Sequence, residues 1–361
     1  MNNYSLAFSV SPLGPKRFQA ILNKFPSLED ALHATQKEYQ EIGIVGLTFK
    51  KFDEFRKKFD INDYEKTLQK AGVTFIGFTE PLYPKKLKEL ENPPIGLFCL
   101  GNVLLLKNKS CIAIVGTRKI TEYGKSVTEQ IAGDLSKNGM CIISGLALGV
   151  DGISHRVTLE NRGATIAVLA CGVDCCTPSE NYSLYKRILD DNGLIVSEYP
   201  LSQPPNKGTF LARNRIVAAL SDGVLVTEAS SDSGSLVTAE WGLRLNKKVF
   251  AVPGPINSAM AQGSLMLLKQ GAKLVTEAED IFQALSIQKK VIRNTTVYKN
   301  LKSEEKKIIA LLENEEMTVD ELSKKLKVPV SQLFVTISNL ELKGIIKNKG
   351  AIFALQNSGQ K

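Results

Sequence analysis

The chain has 361 residues, is 43% hydrophobic and 23% charged, and carries a formal net charge of +9. Such usage fits two or three globular domains with a sizeable core and excludes a largely disordered chain. No stretch approaches the roughly 20 apolar residues of a membrane span, and the N-terminus MNNYSLAFSVSPLG lacks the basic start of a secretion signal, so a cytoplasmic location is expected.

The charge is uneven. Residues 1–110 hold 16 basic against 12 acidic, 111–288 hold 16 against 17, 289–300 hold 4 against 0, and 301–361 hold 10 against 8. A polyanion bound by the near-neutral central part would need a local groove of a few cations and backbone N–H groups. Cys99, Cys111, Cys141, Cys171, Cys175 and Cys176 lack CxxC spacing and suggest neither a zinc site nor a disulfide framework. The adjacent pair Cys175-Cys176 admits redox chemistry, with a plain loop as the simpler reading.

Residues 1–65 read as a small helical domain. A turn at Ser11–Pro15 precedes Lys16–Phe25, which carries Phe18, Ile21, Leu22 and Phe25 on one helical face, and Ser27 caps Leu28–Leu32. The glycine turn Ile42–Gly46 opens a second helix with Phe49, Phe52, Phe55 and Phe59. Such a unit suits either a helix-hairpin-helix or sterile-alpha-motif-like module or a plain helical cap with phenylalanine core. His33 reads as a surface or hydrogen-bonded helix residue. Residues 66–110 read as a connector, with extended pieces at Gly72–Phe78 and Ile95–Leu100 between proline and glycine breaks.

From residue 111 to 288 strand and helix alternate. Apolar runs at Cys111–Val115, Cys141–Ser144, Ala164–Ala170, Leu194–Ser197, Val224–Thr227, Val249–Val252 and Leu274–Thr276 predict a Rossmann-like, mostly parallel, doubly wound sheet. Ligands of such sheets bind at the strand C-terminal ends.

The loops expected there hold Gly116 and Arg118 after the first strand, and Ser144, Gly145, Ala147 and Gly149 after the second. They hold the run Arg213-Asn214-Arg215 after the fourth, and Gly234 and Ser235 after the fifth. Small residues admit close backbone approach, and two helix starts rich in Gly and Ser beside three arginines predict an anion surface. The alternative for the arginines is salt bridging to Asp151, Glu198 or Glu228. His155, one turn after Asp151, suits either a local hydrogen bond holding the loop or catalysis. No HExxH, GxSxG or Walker lysine is present, and no cofactor or metal is expected.

The segments IVGTRKITEYG, SGLALGVDGISH, TIAVLACGVD with Pro178 and Asn181, SEYP, FLARNRIVAALSD, VTEASSDSGSLVTAEWG and VFAVPG resemble the DNA-processing protein A family, DprA/Smf, over residues 1–356. The resemblance implies an extended Rossmann-type domain, single-stranded DNA bound without sequence preference, and loading of the RecA recombinase during natural transformation, with no catalysis. It also implies a homodimer and admits single-strand-binding protein as a further partner. It places Arg118, the Ser144–Gly149 loop and Arg213–Arg215 on the DNA path; Asp151, His155 and Glu228 are expected to be structural residues near that site. Where the family commonly has tyrosine-proline this chain has Thr177-Pro178, and where a basic residue often follows the asparagine it has Tyr182. Lys186 and Arg187 are expected to stand in for that cation.

Residues 289–300 read as a basic linker. Beyond it, Ser303–Leu312, a Thr318/Glu321 capping box before Leu322–Leu326, Ser331–Leu342 and a β-wing around residues 348–350 outline a winged helix in 301–361. Its third helix offers few cations, which suits protein contact or weak backbone binding. A rival reading of the whole is a nucleotide phosphoribohydrolase of the lysine-decarboxylase-like group. In this chain the acid of that motif falls out of register at Glu240. Leu265–Leu268 is expected to offer an apolar pairing surface or to pack on the sheet.

Overall fold

A computed structural model describes residues 4–108, 110–287, 302–312, 315–343 and 345–355, in two compact units, 1–290 and 291–361. The linker expected at 289–300 and Gly344 of the expected wing lie outside the described residues.

The first unit opens with six helices: α1 (Tyr4–Val10), α2 (Pro15–Lys24), α3 (Leu28–His33), α4 (Gln36–Glu41), α5 (Gly46–Arg56) and α6 (Ile61–Lys70). Ser27 caps α3 by accepting from the Asp30 amide, and Thr35 and Glu38 form a reciprocal box on α4. Phe49 and Phe52 are buried with Phe8, Phe18 and Tyr39 in one aromatic core, and Phe8 stacks on Phe52 at 5.8 Å. Each such ring, fully buried, contributes roughly 1.5–3 kcal/mol. Helix α1, which the sequence pattern did not show, places Phe8 in that core while Leu6 and Ala7 join a second cluster under the sheet.

The sheet has nine strands: β1 (Thr74–Gly77), β2 (Gly96–Gly101), β3 (Cys111–Val115), β4 (Cys141–Ser144), β5 (Thr165–Val168), β6 (Leu194–Ser197), β7 (Gly223–Val226), β8 (Lys248–Ala251) and β9 (Lys273–Leu274). Their order is β1-β2-β6-β5-β4-β3-β7-β8-β9. All pairs from β6 to β9 are parallel, with Cys111 opposite Cys141 and Ile112 opposite Gly223. The extended pieces of the connector are β1 and β2. They extend the same sheet, with β2 antiparallel to β6.

Between the strands run α7 (Glu122–Lys137), α8 (Val150–Glu160), α9 (Tyr182–Asp190), α10 (Lys207–Leu220), α11 (Ser235–Arg244), α12 (Gln262–Lys269) and α13 (Ala278–Leu285). The central strands are almost wholly apolar because both faces are covered, with Ser144, Thr165 and Ser197 as buried hydroxyls. Ala113, Val115, Ile143 and Val226 pack under α10 and α11, whereas Ile112, Ile114, Ile142 and Leu225 pack with residues of α7 and α13. On α12, Leu267 is buried, Leu265 and Leu268 are half-buried, and Met266 is exposed. Leu267 and Leu268 therefore pack on the sheet, and Met266 is the apolar side chain that α12 exposes. Among the described residues no helix is long and apolar enough to cross a membrane.

The chain runs from β3 outward to β6 and then returns to β7 on the other side of β3. That return creates the switch point at which a sheet of this kind opens a crevice.

The second unit is a winged helix. Helices α14 (Ser303–Leu312), α15 (Val319–Leu326) and α16 (Val330–Leu342) pack on strands β10 (Met317–Thr318), β12 (Ile352–Leu355) and β11 (Ile346–Lys349), in that sheet order. The expected box is present: the Thr318 hydroxyl accepts from the Glu321 amide at 3.3 Å, and the Glu321 carboxylate accepts from the Thr318 amide at 2.8 Å. Helix α16 carries no Lys or Arg and exposes Phe334 and Val335.

Candidate nucleic-acid interface

The loop between β4 and α8 was expected to offer its amides to a phosphate. Two of those amides, Gly145 and Ala147, and the carbonyls of residues 145 to 147 are engaged within the protein. The Asp151 carboxylate accepts from the Gly145 amide at 3.1 Å and the Ala147 amide at 3.4 Å. Arg213 Nη1 donates to the Gly145 carbonyl at 2.7 Å and to the Val168 carbonyl. Asn181 Nδ2 donates to the carbonyls of Leu146 and Ala147 at 2.9 and 3.0 Å, and the Val150 amide donates to the Thr117 carbonyl at 3.2 Å.

Gly149 has φ 73, and a Cβ there would lie 2.2 Å from the Thr117 carbonyl oxygen. A Cβ at Gly145 would lie 2.1 Å from the Arg213 guanidinium. Both glycines therefore serve loop geometry. Ser144 is fully buried and donates to the Ile114 carbonyl at 2.6 Å, so its hydroxyl bridges two strands rather than facing a ligand.

Burial raises the pKa of Asp151, against the pull of Arg213 and the two amides. Burial pushes His155 down to about 3, with Arg213 acting in the same direction, so the ring is neutral. Its Nδ1 lies 2.6 Å from the Thr165 hydroxyl. The local bond expected between His155 and Asp151 is replaced by this one to β5, and the ring is too enclosed for acid–base work.

The three arginines separate. Arg118 is exposed, with its guanidinium 5.1 Å from the Phe210 ring centroid. Arg213 is buried beneath the glycine loop. Arg215 is also buried and is held by Glu198 at 2.7 and 2.6 Å and by the Asn92 carbonyl at 3.2 Å. Arg215 is therefore a structural ion pair and not a groove cation, the outcome the salt-bridge alternative describes.

A cavity of about 720 Å³ occupies the switch point. Gly116 and Arg118 line it from β3, Ala147 from β4, Phe210 and Asn214 from α10, and Ser235 from the start of α11. Gly234 also lines it and accepts from Asn214 Nδ2 at 3.2 Å, while Ser233 and Ser235 hydroxyls pair at 2.8 Å. Glu228 stands behind this wall. It accepts from the Thr121 amide at 2.9 Å and the Thr121 hydroxyl at 2.6 Å, fixing the start of α7.

Lys186 and Arg187 do not line the cavity. Lys186 lies over the Tyr182 ring at 4.9 Å and Arg187 bonds Asp191 at 3.2 Å, because α9 packs on the sheet face opposite α10. The cations that do join Arg118 are Lys119 and Lys207, which the sequence reading did not select. Phe210 was missed as well. The signal lay in helical phase: Lys207, Phe210 and Asn214 recur at i, i+3, i+7 and so share a face of α10. All six cysteines are free, and no cluster able to hold a metal ion occurs among the described residues.

Residues 74–286 match the family model for DNA recombination-mediator protein A, and 295–349 match that for a DprA winged helix domain. The chain is 40% identical over 217 residues to the DNA processing protein DprA of Bacillus subtilis, covering 60% of this chain and 73% of that one. The X-ray structure of DprA from Streptococcus pneumoniae aligns with a TM-score of 0.69 at 32% identity, covering 78% of this chain and 98% of that one. The Helicobacter pylori protein, solved in a study of its single-stranded DNA binding mode, aligns with a TM-score of 0.54 at 36% identity, over 59% of this chain and 95% of that one.

Proposed function

Because the chain belongs to the DNA recombination-mediator protein A family, we propose that it holds single-stranded DNA, without reading its sequence, in the cavity at the switch point. The observation that carries this reading is Arg118 laid over Phe210 at a cavity also lined by Lys119 and Lys207. Cations meet phosphates, and an aromatic face accepts any base, so affinity comes without selectivity. The solved Helicobacter pylori relative, a single-stranded DNA binder, supports it. The family resemblance adds the RecA recombinase as the partner that receives the strand and a homodimer as the working unit.

The nucleotide hydrolase has less support. No glutamate lines the cavity among the described residues, Glu240 is exposed outside it, and of the two lining carboxylates Asp151 is taken up by two backbone amides while Asp232 accepts from the Ser230 hydroxyl at 2.7 Å. Cleavage of a glycosidic bond needs an acid and a base side by side, and Asp151 is committed to the loop amides. Fluorescence anisotropy with labelled homopolymers tests the proposal, and incubation with nucleoside monophosphates tests the rival. Binding of several homopolymers within a small factor, with no base released, is the expected result.

A further inference from the structure

Leu146 has φ 57, in the left-handed backbone region, with its side chain fully buried. A leucine stays there only where its surroundings over-determine it, and such strain gathers at functional sites. Its surroundings are the network already described. Asp151 holds the amides on either side, Arg213 holds the Gly145 carbonyl, and Asn181 Nδ2 holds the carbonyls of Leu146 and Ala147 at 2.9 and 3.0 Å. Asp151 and Arg213 line the cavity and Asn181 does not. It reaches the loop from another side, at the end of a short turn, Ser179–Asn181, that leads into α9.

We infer that Asn181 is a positioning residue for strand binding: it draws the carbonyl oxygen of Leu146, and together with the Gly152 amide at 3.0 Å that of Ala147, away from the groove that Ala147 lines. The inference rests on the reading of that groove as a single-stranded DNA site. A carbonyl oxygen carries partial negative charge, and turned toward a phosphate in a cleft it repels the strand. A carboxamide nitrogen has two hydrogens, so one Nδ2 serves both oxygens; a hydroxyl has one, and a carboxylate has none at neutral pH. The loop after β5 thereby controls the polarity of the loop after β4 without touching the ligand.

The test compares wild type, Asn181→Ala, Asn181→Asp and Asn181→Ser by hydrogen exchange and by anisotropy with a labelled oligothymidylate. Faster exchange of the amides of residues 145–149 and roughly tenfold weaker binding are expected in both Ala and Asp variants. The salt slope should be unchanged because no phosphate contact is removed. The Ser variant should fall between them and wild type. Wild-type affinity in the Asp variant would overturn the inference, since a residue that only filled space would tolerate an isostere. Unchanged loop exchange in both Ala and Asp variants would overturn it equally. If wild type itself fails to bind the oligonucleotide, the groove reading fails instead, and the two failures are thereby told apart.

Discussion

Arg215 and Glu198 face each other through two short hydrogen bonds, 2.7 and 2.6 Å, with both side chains buried. Two positions earlier on the same helix, Arg213 is buried against backbone carbonyls of the β4 and β5 ends, and only Arg118, from a different loop, is left exposed. Three arginines of one expected role thus have three different ones.

This division predicts opposite phenotypes. Arg118→Ala should leave stability nearly unchanged and weaken single-strand binding by about 1–3 kcal/mol, the worth of a charge-assisted phosphate contact. Arg215→Ala should destabilise the fold by about 3–5 kcal/mol, because it strands a buried carboxylate. Urea unfolding and anisotropy on the same samples separate the two. Arg215→Ala with wild-type stability would show the pair to be dispensable.

Gly149→Ala combines a left-handed φ with a Cβ 2.2 Å from the Thr117 carbonyl oxygen. With φ 73 and ψ −128 the residue sits in a region essentially confined to glycine, which alone costs about 1–3 kcal/mol, and the contact with rigid backbone adds to it. Thermal unfolding should show a clear loss of stability, and DNA affinity should fall with it. Gly234→Ala, where a Cβ meets open space, is the control expected to leave stability nearly unchanged.

The pH dependence follows from His155. Its folded pKa is about 3 against 6.5 for a free imidazole, so below pH 6.5 the unfolded chain takes up a proton that the folded chain refuses. Its contribution is complete above pH 6.5 and is lost between pH 6.5 and about 3, with an upper bound of about 5 kcal/mol. Asp151 acts in the other direction. Its raised pKa makes protonation of the folded form easier than of the unfolded one, adding stability as pH falls through its folded value. His155→Gln should flatten the acid limb of the stability curve measured by urea unfolding from pH 4 to 8. An unchanged limb would assign it to other groups.

Much of the fold was legible because buried parallel strands have a strong signature. The limits of β3, β4 and β6 are those the apolar runs gave, and the alternation with helices fixed the class. Two strands in the connector were seen as extended, but their place in the sheet depends on antiparallel pairing of β2 with β6, about 95 residues away, which no local pattern carries. At the site, the Gly-rich loop announced a close backbone approach correctly. What approaches Gly149 and Gly145 within the protein is the Thr117 carbonyl and the Arg213 guanidinium. Arginine is assigned to the surface by default, and the partners that bury Arg213 and Arg215 come from three other loops.

Assembly gives a further prediction. Leu268 packs on the sheet core, so a charge there would damage the fold, whereas Met266 is exposed on the same helix. If α12 pairs two copies, Met266→Asp should lower the mass found by light scattering at micromolar concentration while leaving the unfolding midpoint near wild type. A wild-type mass that is already monomeric, with full DNA affinity, would remove the dimer from the account.

The most direct test of the central claim is the salt dependence of binding for oligothymidylate and oligoadenylate, with wild type and Arg118→Ala side by side. The groove predicts affinities within a small factor for the two sequences and a log–log slope of about −0.7 per phosphate neutralised. It also predicts a slope shallower by about 0.7 in the variant, whose lost cation sits over Phe210. Identical slopes and affinities for both proteins, or strong preference for one sequence or for duplex, would contradict it.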